Sequence, residues 1–201
     1  MRIVNRSVDD CSARRLGYGL RMGRIVIVSG PPGAGKTTVA RRLVHRGPSD
    51  LGMHMHTDDM YGYIWRGFIP PWKPEADAQN TVVMTALSTS AGIAAAGGYD
   101  VYVDGIVGPW FLSAWRAAAE AHGVGLHYVV LIPDEATAVQ RAVARSHVAA
   151  MRDPSVVRRV WQNFSTHDLP AVHLVDSTAQ QADETTALVL SGLAAGRFRL
   201  A

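Results

Sequence analysis

A glycine-rich turn between an apolar run and a helical run constrains this chain more than any other feature. The apolar run covers residues 24–29, and the turn after it has the spacing G-x-x-x-x-G-K-T. The residues of the turn are Gly30, Pro31, Pro32, Gly33, Ala34, Gly35, Lys36, Thr37 and Thr38. A strand, this turn and then a helix form the context that identifies a P-loop, or Walker A, site. The sequence therefore predicts that residues 30–38 bind a nucleoside triphosphate.

The chemistry of triphosphate binding explains these residue types. Glycines let successive backbone amides turn inward around an anion, and the start of the following helix adds its positive dipole end. Lys36 is then placed to reach the β- and γ-phosphates, and the Thr37 hydroxyl to bind Mg²⁺. Only Lys36 and Lys73 are lysines among the 20 basic residues, which suggests that a compact ammonium is required at position 36. We expect ATP and Mg²⁺ as cofactors.

The positive charge of the chain is concentrated near its N-terminus. The net charge is +3, and residues 1–24 contain six arginines against two aspartates, a surplus of 4. Residues 25–201 therefore sum to about −1 (3 − 4). Long nucleic acids are bound along a basic surface, so a neutral body argues against such a partner. We expect a basic N-terminal extension over residues 1–22 and a single domain over residues 23–201.

The apolar runs and the cysteine content indicate where in the cell the protein is expected. No apolar run approaches the length of a membrane span, so no membrane partner is expected. The one cysteine, Cys11, excludes an internal disulfide and fits a reducing environment. These features predict a cytoplasmic protein. No feature of the sequence indicates an oligomeric state.

Short apolar runs alternate with helical patterns along the whole chain. They begin near residues 24, 53, 99, 126 and 172. This alternation predicts an α/β fold in which helices cover both faces of a five-stranded parallel sheet. Ligands of such sheets bind beyond the carboxyl ends of the strands. The residues expected at those ends are Gly30, Asp58, Asp104, Pro133 and Asp176.

Two of these aspartates are candidates for the phosphoryl-transfer chemistry. Asp104 follows an apolar strand, as a Walker B acid does, and is expected to hold Mg²⁺ or the substrate; a plain turn residue is the alternative. Asp58 is expected at the end of the second strand. There it would accept the proton of an acceptor hydroxyl or anchor the substrate, unless it only caps the next turn. Asp59 is the second candidate for the base.

Two arginines are candidate phosphate contacts. Arg141 and Arg145 are four residues apart on a predicted helix, so both are expected on one face, where they would neutralise the transferring phosphoryl group. Solvated helix arginines are the alternative.

An aromatic, proline-rich loop over residues 60–74 is long for a simple connector. We interpret it as a wall of the substrate pocket, with Trp65 and Arg66 as substrate contacts; packing on the core is the alternative. His54 and His56 lie just before this loop, at a spacing that could bind a metal. Because the sequence offers no third ligand, we interpret them as ordinary strand residues.

These segments together resemble the small P-loop kinases, which include chloramphenicol phosphotransferase, zeta toxins, the kinase domain of polynucleotide kinase, and the adenylylsulfate, gluconate and shikimate kinases. The resemblance covers residues 23–196 and rests on residues 30–38, 57–59, 103–104, 141–145 and 176–178. It implies a three-layer α/β/α P-loop NTPase fold with strand order 2-3-1-4-5. It also implies that Asp58 is the base and that Arg141 and Arg145 lie on a lid helix over ATP. The loop of Asp176, Ser177 and Thr178 is implied to contact adenine.

The function that we expect is ATP-dependent transfer of a phosphoryl group to a hydroxyl of a small molecule. A polynucleotide or nucleotide-sugar kinase is the first alternative, because the aromatic loop could stack a base. A nucleotide-dependent switch or assembly ATPase is the second, and nucleotide binding without turnover is the third.

Overall fold

A computed structural model of the protein describes residues 22–145 and 151–200, so nearly all of the predicted extension, residues 1–22, lies outside the described residues. The strands are β1 (Arg24–Ser29), β2 (Gly52–His56), β3 (Asp100–Asp104), β4 (Gly125–Leu131) and β5 (Leu174–Val175). The α-helices are α1 (Lys36–Arg46), α2 (Thr57–Gly62), α3 (Asp77–Ala96), α4 (Leu112–His122), α5 (Glu135–Val143), α6 (Pro154–Thr166) and α7 (Ala182–Ala194). Short 3₁₀ turns cover Pro74–Ala76, Pro109–Phe111 and Ala171–His173.

The five strands form one parallel sheet with the order β2-β3-β1-β4-β5. Val28 pairs with Asp104 on one side and with Val129 on the other. His56 pairs with Asp104 from the outer strand. The register therefore brings the end of β1, the end of β3 and the end of β2 to the same edge of the sheet. The predicted fold class and strand order are confirmed.

The central strand β1 supplies both halves of the core because its side chains alternate between the two faces. Ile25 and Ile27 are fully buried among residues of α3 and α4. Val26 and Val28 are fully buried on the opposite face, among residues of α1 and α7. Helices thus cover both faces of a strand that is apolar on both sides, as expected for the middle of a parallel sheet.

Side-chain caps define the starts of several helices. Asp134 accepts a hydrogen bond from Thr137 N at the start of α5. Asp153 accepts one from Ser155 N, and Pro154 opens α6, as the Asp-Pro pair predicts. No helix in the described parts of the chain combines the length and the apolar character that a membrane span requires.

Two boundaries differ from the prediction and change the surroundings of candidate site residues. Helix α2 begins at Thr57, directly after β2, so Asp58 and Asp59 lie in the first turn of a helix instead of at a strand end. Carboxylates are favourable in a first turn because they interact with the positive end of the helix dipole. Helix α5 ends at Val143, so Arg145 lies beyond the helix and does not share a helical face with Arg141.

Candidate functional site

The P-loop backbone depends on glycine at two close contacts. Gly30 has φ 137° and Gly33 has φ 83°, values that L side chains rarely adopt. A Cβ atom on Gly30 would lie 2.1 Å from the carbonyl oxygen of Leu131, at the end of β4. A Cβ atom on Gly33 would lie 2.1 Å from the carbonyl oxygen of Ala138, in α5. The loop therefore packs backbone to backbone against its neighbours.

Lys36, the first residue of α1, is buried inside this loop. Its side chain donates a 2.8 Å hydrogen bond from Nζ to the carbonyl oxygen of Pro31. Burial and, after it, the positive charge of Arg145 lower the pKa of Lys36 to about 8, although Asp104 and Asp58 act in the opposite direction. An ammonium with this little solvation is suited to bind a polyanion, because the anion replaces missing stabilisation.

The next residue, Thr37, joins the P-loop to the acid at the end of β3. Thr37 Oγ1 donates a 2.5 Å hydrogen bond to Asp104 Oδ2. Asp104 is fully buried. Burial raises the pKa of its carboxyl, but hydrogen bonds from His54 and Thr37 and the nearby His56 outweigh that effect, so the net pKa lies below the usual aspartate range. Asp104 is therefore an ionised carboxylate at neutral pH.

The hydroxyl of Thr37 and the carboxylate of Asp104 fit the preference of Mg²⁺ for hard oxygen ligands. Mg²⁺ is usually bound by one or two protein groups together with phosphate oxygens and water. In residues 22–145 and 151–200, no cluster of three His, Cys, Asp or Glu side chains forms a cage for a metal ion. This pair thus suits a cation that arrives with a nucleotide.

Two histidines of β2 surround the same carboxylate, which the sequence reasoning missed. His54 Nε2 lies 2.5 Å from Asp104 Oδ1, and His56 Nδ1 lies 3.4 Å from Asp104 Oδ2. The interpretation of these histidines as ordinary strand residues was therefore incomplete. The signal was present, since the alternation His54, Met55, His56 places both rings on one face of the strand. Which residues this face of β2 meets depends on the pairing of β2 with β3.

Asp58, in the first turn of α2, lies within electrostatic range of the P-loop. Its charge acts on Lys36 and also on Tyr61, whose pKa is raised mainly by burial. Its side chain is 77% exposed, and Oδ2 lies 3.6 Å from His56 Nε2. Asp59 is exposed on the adjacent turn position. The structure thus brings Asp58 into electrostatic range of the P-loop lysine while leaving it accessible to a substrate.

The two candidate arginines are placed differently. Arg141 donates hydrogen bonds to the carbonyl oxygens of Ser177 (Nη1, 3.0 Å) and Thr178 (Nη2, 2.9 Å). Arg145 is exposed after the end of α5, and its charge lowers the pKa of Lys36. Arg141 therefore holds the loop of Ser177 and Thr178 in place, whereas Arg145 lies near the ammonium of Lys36.

The loop that Arg141 holds is the predicted adenine loop, and it also contacts the P-loop. Ser177 is buried and donates a 3.4 Å hydrogen bond to the carbonyl oxygen of Ala34. Asp176 Oδ1 accepts hydrogen bonds from the backbone N and the hydroxyl of Thr178, which lower the pKa of Asp176. An open cavity of about 460 Å³ adjoins this loop, and Trp161, which the sequence did not indicate, is part of its lining.

The aromatic loop is attached to α3 and leaves the rings of Tyr63 and Trp65 largely in solvent. Gln79 bonds both to the backbone N and to the carbonyl oxygen of Ile69, and Asn80 Nδ2 donates to the carbonyl oxygen of Pro71. Trp65 is 93% exposed and Tyr63 is 73% exposed. Arg66 is exposed beside Trp65. Tyr63 and Trp65 therefore do not pack on the core, whereas Tyr61 of the same loop is buried in it, so the alternative left open by the sequence holds for part of the loop.

A second open cavity of about 460 Å³ is an apolar groove between α2 and α3, with Met60 and Val82 in its lining. Met60 follows Asp58 by two positions, which corresponds to about 200° around a helix. The groove therefore lies on the side of α2 that faces away from Asp58, and it adjoins the aromatic loop, because Tyr63 is also part of its lining.

Comparisons with known proteins agree with this architecture. A family model described as an AAA domain matches residues 25–167. No curated protein matches the sequence.

Solved structures resemble the chain at low identity. The tunicamycin resistance protein of Deinococcus radiodurans has a TM-score of 0.63 and 13% identity, covering 85% of this chain and 95% of that one. A sugar kinase from a Janibacter species has a TM-score of 0.66 and 15% identity, with 86% and 95% covered. The APS kinase of Mycobacterium tuberculosis in complex with AMPPNP and APS has a TM-score of 0.64 and 19% identity, with 87% and 99% covered. The matching family model and this shared fold show that the chain belongs to the AAA-domain family of P-loop proteins, with the architecture of the small P-loop kinases.

Proposed function

We propose that this protein is an ATP- and Mg²⁺-dependent kinase that transfers the γ-phosphoryl group to a hydroxyl of a small molecule. The observation that carries the proposal is the convergence of three groups at one end of the sheet. Lys36 lies in the P-loop, the Thr37–Asp104 pair lies beside it, and Asp58 faces them from α2 within electrostatic range of Lys36. This convergence supports a donor site and a candidate base at the same end of the sheet.

The donor half of the reaction is assigned to the P-loop and its neighbours. The amides of residues 30–38 and the ammonium of Lys36 would bind the triphosphate, and Thr37 with Asp104 would hold Mg²⁺, directly or through water. When bound, Mg²⁺ neutralises charge on the phosphate oxygens. Arg145 would add a second cation near the transferring group, and Arg141 would keep residues 176–178 in place for adenine.

The acceptor half is assigned to α2 and the loop after it. The acceptor oxygen would attack the γ-phosphorus while the bond between the γ-phosphorus and the β-phosphate oxygen breaks. The hydroxyl proton would pass to Asp58. Asp59 is the second candidate for this role. Trp65 and Arg66 are proposed contacts for the body of the acceptor, because an almost fully exposed tryptophan on an anchored loop is typical of a binding surface.

The solved neighbours support kinase chemistry without indicating the acceptor. They are a sugar kinase, an APS kinase and a tunicamycin resistance protein, and their identity to this chain is below 20%. A polynucleotide or nucleotide-sugar kinase is the second candidate function, favoured by the exposed rings of Tyr63 and Trp65, which are able to stack a base. The near-neutral charge of residues 25–201 favours the small-molecule acceptor.

A screen with γ-labelled ATP tests the proposal. The full chain is incubated with Mg²⁺ and a panel of nucleosides, sugars, hydroxylated antibiotics and a 5′-hydroxyl oligonucleotide, and label transfer is measured. Transfer to a small molecule supports the first candidate, and transfer only to the oligonucleotide supports the second. Asp58→Asn should bind ATP as the parent does and lose transfer. Transfer at the parental rate by this variant would show that the base lies elsewhere.

A further inference from the structure

The imidazole of His56 occupies a position that the proposed function does not use. His54 and His56 lie on the same face of β2, with their rings nearly parallel and their centroids 6.5 Å apart. Both rings contact Asp104, the carboxylate assigned to the metal side of the site. Of the two, His56 also contacts the carboxylate assigned to the acceptor side, since its Nε2 lies 3.6 Å from Asp58 Oδ2.

The hydrogen bond at the other ring nitrogen fixes the direction in which His56 points. Its Nδ1 lies 3.2 Å from the backbone carbonyl oxygen of Asp104. A carbonyl oxygen only accepts hydrogen bonds, so Nδ1–H is the donor in this contact. The ring is thereby anchored to the backbone of β3. Its Nε2 edge lies 3.6 Å from Asp58 Oδ2 and supports that carboxylate as a donor, in the ring form that carries a proton on both nitrogens.

Apart from a 3.5 Å hydrogen bond that its Oδ1 accepts from Thr57 Oγ1, the Asp58 carboxylate has little to restrain it. The side chain is 77% exposed and belongs to a helix of six residues at the outer edge of the sheet. An exposed carboxylate samples several rotamers, whereas a base must be aligned with the proton that it accepts. The His56 side chain is 25% exposed and is held by strand pairing as well as by Asp104, so it is the more rigid partner.

We infer that His56 is a positioning residue that holds the Asp58 carboxylate toward the P-loop, in the orientation from which it receives the acceptor proton. The inference rests on the proposed function for its catalytic meaning, but the contact itself does not. Both histidines contact Asp104, but the contact with Asp58 is made by His56. His56 therefore connects the donor and acceptor halves of the site, and His54 supports the donor half.

The first test uses histidine side-chain NMR on the full chain without nucleotide. Ring nitrogen signals are assigned with His54→Gln and His56→Gln. Asp58→Asn is expected to shift the signals of His56 and to leave those of His54 in place. Asp59→Asn, the neighbouring exposed carboxylate, is expected to leave both rings unchanged. Unchanged His56 signals in Asp58→Asn would overturn the inference.

The second test separates the two edges of the ring by substitution. An asparagine side chain places its amide near the Nδ1 position, and a glutamine places it near the Nε2 position. With water as the acceptor, His56→Asn should lower the kcat of Mg·ATP hydrolysis by roughly tenfold at unchanged KM for ATP, while His56→Gln retains most of the rate. His45→Asn, an exposed histidine of α1, is the control and should match the parent.

A double-substitution cycle completes the kinetic test. In the Asp58→Asn background, His56→Asn should have no further effect on kcat, because the residue through which it acts is already altered. Equal losses in His56→Asn and His56→Gln, or the same loss in both backgrounds, would assign His56 a role at Asp104 only and overturn the inference. If the screen with γ-labelled ATP detects no transfer to any acceptor while NMR shows the His56–Asp58 contact, the proposed function fails and the contact remains.

Discussion

Thr37 Oγ1 lies 2.5 Å from Asp104 Oδ2, so the first turn of α1 is bonded directly to the last residue of β3. Asp104 is fully buried, and each of its carboxylate oxygens has a side-chain partner. The P-loop hydroxyl and the acidic strand end are therefore assembled by the fold itself. A nucleotide that brings a cation would find both proposed protein ligands already in contact.

Asp104→Asn tests this assembly. An amide nitrogen in place of one carboxylate oxygen cannot accept a hydrogen bond from Thr37 or His54, so we expect a loss of about 1–3 kcal/mol in the free energy of unfolding. We also expect a higher Mg²⁺ concentration for half-maximal turnover. Urea unfolding and a Mg²⁺ titration measure the two effects, with the exposed Asp50→Asn as the control. Parental stability would contradict the role given to the buried carboxylate.

The difference in unfolding free energy between the parent and Asp104→Asn should depend on pH with a defined sign. The folded pKa of Asp104 lies below the ordinary value of 3.8, so its ionised form stabilises the fold fully above pH 3.8. That contribution is lost as pH falls through the lowered folded pKa. The stability difference between the parent and Asp104→Asn should thus be constant near neutrality and shrink in acid below pH 3.8.

Lys36→Met tests the P-loop cation, and the chain provides a matched control. The substitution keeps the length of the side chain but removes the charge that stabilises the transferring phosphoryl group, so we expect kcat for ATP turnover to fall by about 10²–10³. Lys73 is the only other lysine, and it is exposed in the loop before α3. Lys73→Met should keep parental turnover. Equal effects of the two substitutions would indicate that turnover responds to the net charge of the protein and not to the ammonium of Lys36 in particular.

ATP binding should weaken as pH rises through about 8. Burial, followed by Arg145, lowers the pKa of Lys36 to about 8, and a bound triphosphate favours the charged ammonium. The complex therefore binds a proton that the free protein has begun to lose, and the dissociation constant of ATP should increase above this pH. Calorimetry in buffers of different ionisation enthalpy should detect proton uptake at pH 9. Lys36→Met should show none of it.

Gly33→Ala and Gly35→Ala separate contact from backbone strain. Both glycines have positive φ, 83° and 89°, so each alanine incurs strain of about 1–2 kcal/mol. At Gly33 the added Cβ also meets the carbonyl oxygen of Ala138 at 2.1 Å, whereas at Gly35 nothing lies within 4 Å. We expect Gly33→Ala to lower the free energy of unfolding by about a further 1–3 kcal/mol, and therefore to unfold at a lower urea concentration than Gly35→Ala. Equal stabilities would mean that α5 moves freely relative to the P-loop.

Arg141→Ala and Arg145→Ala should give different kinetic signatures. Loss of Arg141 removes two hydrogen bonds to the carbonyl oxygens of Ser177 and Thr178, which should raise the KM for ATP by loosening residues 176–178. Loss of Arg145 removes a cation close to Lys36 and should mainly lower kcat. Steady-state kinetics over a range of ATP concentrations distinguishes the two. If both variants change only kcat, the loop contact does not contribute to nucleotide binding.

The parts of the site that are local in sequence could be predicted closely. The P-loop follows from one spacing, and the cap at Asp153 follows from an Asp-Pro pair, because both depend on contacts within a few residues. The boundary between β2 and α2 was predicted less well. Residues 53–59 lack a proline or glycine that would separate strand from helix, so the pattern did not show that Asp58 begins a helical turn.

The sequence by itself determined the nucleotide loop, the alternation of strands and helices and, through its resemblance to known kinases, the strand order. Only the tertiary structure decided which polar groups meet: His54 and His56 with Asp104, Arg141 with the 176–178 loop, and Asp58 with His56. These contacts join positions that are distant in the chain, and they depend on strand register and helix ends. A shift of one residue in the pairing of β2 with β3 would turn both histidines to the opposite face of the sheet.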